Sequence, residues 1–81
     1  MIYLMKDLKS EHITEAVIDR FIELRKEQGL SHDAVAEKAG LNRSTISLIE
    51  AKKRSPTLKS CLKISYALGY ELSDLLKEEQ E

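Results

Sequence analysis

Gly40 divides the stretch 31–50, SHDAVAEKAGLNRSTISLIE, into two short amphipathic segments. A glycine there can take the left-handed backbone that ends one helix and turns the chain. Before it, Val35, Ala36 and Ala39 fall on one helical face, with the small Ala36 where two helices would press closest. After it, Ile46 and Ile49 stand at i and i+3 and face inward. Asn42, Arg43, Ser44 and Ser47 are left on the opposite, polar face. The pattern demands two helices joined by a tight turn, the second held by one face and presenting the other. A rigid helix of that kind fits the DNA major groove, about 12 Å wide.

Net charge is −1, which argues against a nucleic-acid partner until the charges are located. Residues 41–63 carry Arg43, Lys52, Lys53, Arg54, Lys59 and Lys63 against Glu50 alone. Residues 71–81 carry five acids against Lys77, and residues 1–40 are mildly acidic. A basic face on an acidic remainder suffices for phosphate contact, so the global balance is a poor guide.

The rest of the chain reads as helix throughout. Val17, Phe21 and Leu24 repeat at helical spacing over 13–28, and Gly29 supplies a stop. Ile13, Ile18 and Ile22 make a second apolar line, wider than one small core demands. Ser31 is a good N-cap for helix 2, and Asp33 complements the positive end of its dipole. Asn42 is placed to cap helix 3, Thr57 helix 4 and Ser73 helix 5. Pro56 cannot continue helix 3. Leu58, Cys61, Ile64, Ser65 and Leu68 are expected to face inward from helix 4, which Gly69 ends. Leu72, Leu75 and Leu76 are the apolar residues of helix 5. Nothing alternates with period two, so the expected fold is all-α, a bundle of five helices. The expected organisation is an N-terminal arm or helix extension over 1–12, a domain over 13–77 and a frayed acidic tail over 78–81.

Several function classes are excluded. No apolar run approaches the roughly 20 residues of a membrane span. The N-terminus MIYLMKDLKS lacks the pattern of a signal peptide, and the lone Cys61 fits a reducing cytoplasm without a disulfide. One cysteine and two distant histidines build no metal site. No nucleophile–base set, paired acids or phosphate-binding glycine loop suggests an enzyme or calls for a cofactor. Cys61 reads as a small core residue.

LRKEQGLS, VAEKAGLNRSTISLIE, KKRSPTL and LKISYALGYELSDLL occur in this order, and together they resemble the phage-repressor and Cro-like, or xenobiotic-response-element, helix-turn-helix family. The resemblance covers about residues 17–76. It implies a lambda-repressor-like bundle with helices 2 and 3 as the helix-turn-helix. The implied function is sequence-specific binding of double-stranded DNA by a dimeric transcriptional regulator, with no cofactor and no catalysis. By position it implies base contacts from Arg43, Ser44 and Leu48, on a recognition helix over about 42–50. It implies groove-edge or phosphate contacts from Thr45 and Ser47, and phosphate contacts from Ser31, His32, Lys52, Lys53 and Arg54. It also implies a buried ion pair between Arg25 and Glu50. The family favours Gln where this chain has His32, and a polar residue where it has Leu48. A leucine there suits a thymine methyl instead.

One recognition helix touches few bases, so a homodimer is expected. Tyr66, Tyr70, Leu72 and Leu76 are the expected interface, and Ile18 and Ile22 with the arm over 1–8 the alternative one. The short chain leaves no room for a ligand-sensing domain, so control would come from concentration, dimerisation or a protein partner. Restriction-modification controllers and antitoxins of the family have that design. A reading from a different class is a protein-interaction module on the same fold with weak or no base reading, which Leu48, His32 and the net charge favour. The sequence specifies neither an operator nor the sign of regulation.

Overall fold

The computed structural model describes the backbone of residues 2–80 and the side chains of residues 8–78. Five α-helices follow one another: α1 (Ile2–Glu27), α2 (His32–Ala39), α3 (Arg43–Glu50), α4 (Leu58–Ala67) and α5 (Leu72–Gln80). The all-α expectation holds, with no strand among the described residues. Residues 2–12, expected as an arm or a helix extension, continue α1 as one helix, with no break between Ser10 and Ile13. At the other end α5 runs on to Gln80, where fraying was expected.

The core is made of Val17, Ile18, Phe21 and Leu24 from α1, Val35 and Ala36 from α2, and Ile46 and Ile49 from α3. Ile64, Leu68, Leu72 and Leu75 complete it from α4 and α5. Both apolar lines of α1 are used, since Ile13 and Ile22 pack on this cluster as half-buried residues. Ile18 is buried within the protomer, so it is not available to the alternative interface proposed for it. Cys61 is likewise half-buried against the core, and burial pushes its thiol up.

Two caps form as the sequence implies. Ser31 Oγ accepts from Ala34 N–H at 3.1 Å, and Thr57 Oγ1 accepts from Ser60 N–H at 3.0 Å. Two other caps do not. Asn42 occupies the N-cap position of α3, but its side chain makes no cap hydrogen bond. Ser73 lies inside α5, which begins one residue earlier. Leu58 is another correction: it is 70% exposed, because the first turn of α4 extends past the packed region. Ser65 is fully buried and satisfied, its hydroxyl donating to Leu62 O at 3.0 Å. Across the bundle, Gln28 donates to Leu68 O at 2.8 Å and Arg20 reaches Glu78 at 3.4 Å, tying α1 to the ends of α4 and α5.

Candidate nucleic-acid interface

α2 and α3 pack directly on each other and are joined by the turn at Gly40. Gly40 has φ 68°, the left-handed conformation that a side chain would strain. Leu41 N–H then returns to Ala36 O at 2.9 Å and closes the end of α2. Ala36 is buried, as the helix crossing requires.

A helix advances about 100° per residue. With Ile46 and Ile49 buried, Ser44, Ser47, Leu48 and Ala51 therefore point the other way. Ser44, Ser47 and Ala51 are exposed, and Leu48 is half-buried. Ser47 thus sits as centrally on the outward face as Leu48, closer to the middle than the groove-edge position expected of it. Arg43 stands at the flank of that face, with its side chain 68% exposed. Its Nε lies 3.5 Å from Asp33 Oδ1 on α2. The pair is exposed and adds little to stability, but it sets a carboxylate beside the Arg43 guanidinium. Asp33, read from sequence only as a dipole partner, is therefore a candidate site residue that was missed. Asn42, already placed on the polar face by the sequence, has an exposed amide free of the cap. The signal available for Asp33 was an acid in the first turn of the helix that packs on α3.

Beneath this surface lies a network of charge. Arg25 Nε donates to Glu50 Oε2 at 2.7 Å and Arg25 Nη2 to Glu50 Oε1 at 2.9 Å, a parallel two-point grip. Arg25 Nη1 also donates to Leu30 O at 3.0 Å. The ion pair implied by the resemblance is present, and it fixes the last turn of α3 to α1. Burial alone would push the Glu50 carboxyl up, but hydrogen bonds from Arg25 and His32 outweigh it and hold the carboxyl below its ordinary value.

His32 belongs to this network. Its Nε2 lies 3.0 Å from Glu50 Oε1, and its side chain is turned inward rather than toward a phosphate. The Nε2 atom expected at a phosphate is thus engaged with a carboxylate in this structure. Ser31 remains exposed, with a hydroxyl proton still available at the start of α2.

The basic cluster after α3 divides. Lys53 and Arg54 are exposed, and Arg54 Nη1 comes within 3.5 Å of Thr45 Oγ1. Lys52 instead turns to α1, where its Nζ lies 2.9 Å from Asp19 Oδ1 and 3.8 Å from Glu15 Oε1. The hydrogen bond to Asp19 raises its pKa. Its ammonium, expected at phosphate, lies against these two carboxylates in this structure.

On α4 and the turn after it, Tyr66 is 59% and Tyr70 39% exposed. Leu72, expected beside them at an interface, is buried in the protomer's own core, and Leu76 is half-buried against it. No group of three or more His, Cys, Asp or Glu among the described residues is placed to hold a metal ion. No helix among them is long and apolar enough to cross a membrane.

A family model described as helix-turn-helix matches residues 21–75. The chain is 39% identical over 62 residues to the HTH-type transcriptional regulator PuuR of Escherichia coli (strain K12), covering 76% of this chain and 34% of that protein. It is 38% identical over 56 residues to the immunity repressor protein of Bacillus phage phi105, covering 69% of this chain and 39% of that protein. The chain therefore spans little more than a third of the length of these two relatives. Among solved structures, the restriction-modification controller protein C.AhdI from Aeromonas hydrophila matches with a TM-score of 0.71 at 32% identity, covering 80% of this chain and 97% of that one.

Proposed function

The chain belongs to the helix-turn-helix family, and on that premise we propose that it binds double-stranded DNA as a small transcriptional regulator, with α3 in the major groove. One observation carries the reading. The polar face of α3, with Ser44 and Ser47 at its centre and Arg43 at its flank, stands on the buried Ile46 and Ile49. The relatives point the same way, since PuuR and the phage protein are named as a transcriptional regulator and a repressor.

Arg43 reads a guanine, the commonest specific contact of arginine, with Asp33 setting its approach. Ser44, Ser47 and Asn42 offer short polar groups to neighbouring base edges, and Leu48 offers a methyl contact. Ser31, Lys53 and Arg54 hold the phosphates on either side. Thr45, which accepts from Arg54, steadies that contact. The role is one of binding alone, without a reaction or a cofactor, in the cytoplasm. A homodimer through Tyr66, Tyr70 and the exposed edge of Leu76 would set two α3 helices about 34 Å apart on successive major grooves.

Selection of bound sites from random DNA tests the proposal. A recovered two-fold related motif, bound more tightly than random duplex and with a steep salt dependence, is the expected result. Recovery of no motif would point instead to a protein-interaction module.

A further inference from the structure

Lys52 is the one residue other than glycine with a left-handed backbone among the described residues, at φ 61°. It sits just past α3, where the chain closes a six-residue C-cap. Lys52 N–H donates to Ile49 O at 3.0 Å and Lys53 N–H to Leu48 O at 2.9 Å. That closure asks for a left-handed residue, and any residue with a Cβ meets it at a steric penalty that glycine avoids. The side chain is what a glycine would lack here. Its ammonium is held by Asp19 and Glu15, one helical turn apart on α1.

The pair is too exposed to matter much for stability, with the Lys52 side chain 36% and the Asp19 side chain 60% exposed. The strain at Lys52 is therefore not repaid as folding energy at this contact. What the contact does is geometric. A groove of about 450 Å³ separates Ser10 and Thr14 of α1 from Arg54 and Ser55 of the loop. Lys52 and Glu15 are among the residues that line it.

We propose that Lys52 is a positioning residue, whose clamp on Asp19 and Glu15 fastens the end of α3 and the following loop to α1. Lys53 and Arg54 are thereby held in a fixed register with the recognition helix. The inference rests on the DNA-binding reading of α3 and adds that this lysine serves it without touching DNA.

The test compares Lys52→Gly, the double variant Glu15→Gln/Asp19→Asn, and all three changes together. One readout is amide hydrogen exchange of Lys53 and Arg54, both bonded to Leu48 O. The other is affinity for the selected site and for random duplex across a salt series. Removing the carboxylates speeds exchange at these two amides with the melting temperature unchanged. It weakens the selected site about fivefold while affinity for random duplex does not fall. Lys52→Gly gives the same selective loss, and the three changes together lose no more than either alone. Unchanged exchange, or tighter binding of the site once the carboxylates are gone, overturns the proposal. So does an equal loss on both DNAs from Lys52→Gly with the salt slope reduced by about one, the mark of a direct phosphate ligand. Faster exchange in a protein that prefers no site would keep the clamp and overturn the DNA reading instead.

Discussion

Arg25 on α1 and Glu50 at the end of α3 are joined by two parallel hydrogen bonds, 2.7 and 2.9 Å long, although they stand 25 positions apart in the chain. The same carboxylate takes His32 from α2. Three helices thus meet at one acid, at the end of α3 whose polar face is the proposed DNA surface.

Arg25→Met removes both arginine hydrogen bonds and leaves that acid with His32 alone. Loss of one partner of a buried pair costs about 3–5 kcal/mol. With these side chains 15% and 13% exposed, we expect the lower end of that range. Urea unfolding checks it, and a loss under about 1 kcal/mol would show the pair to be worth no more than a surface contact.

The Glu50 carboxyl is held below its ordinary value, so its folded form binds a proton less readily than its unfolded form. The stability it contributes is fully present above the unfolded value of about 4.3 and is lost as pH falls through the depressed folded value. The stability gap between the wild type and Glu50→Gln should therefore begin to shrink below about pH 4.3 and go on shrinking as pH falls through the folded value. Urea midpoints at a series of pH values measure the gap directly, and a gap that grew on acidification would reverse the assignment.

Arg43 and Lys53 should fail in different ways. Arg43→Ala costs about 1–3 kcal/mol on the best site and relaxes preference at one base pair. Lys53→Ala weakens all sequences alike and lowers the salt slope by about one. Competition binding with single-base variants of the site separates the two, and equal loss on specific and random DNA from Arg43→Ala would remove it from the bases.

Ala36 is 4% exposed between α2 and its neighbours. Ala36→Leu should destabilise by about 1–3 kcal/mol through overpacking. A melting temperature and DNA affinity both unchanged would place the helix crossing elsewhere.

Tyr66→Lys and Tyr70→Lys alter exposed side chains and leave the core intact. Sedimentation at micromolar concentration should show a dimer for the wild type and the 9.2 kDa monomer for either variant. A wild type that sediments as a monomer and binds half-sites independently would exclude the homodimer.

The sequence by itself determined whatever depends on neighbours within a turn or two. The five helices, the turn at Gly40, the caps at Ser31 and Thr57, and the inward Ile46 and Ile49 all follow from helical period and local hydrogen bonding. The Arg25–Glu50 pair was legible too, though only through resemblance to a family. Tertiary structure decided where the ends of long side chains go. His32 meets Glu50 rather than solvent because α2 and α3 pack against each other, and Lys52 meets Asp19 because the loop after α3 passes beside α1. Leu72 turns into the core while Leu58 turns out, since their burial depends on which part of each helix has a neighbour. Helical period fixes the direction of a side chain about its own axis. It does not say which other helix lies in that direction, or how far the packed region extends along it.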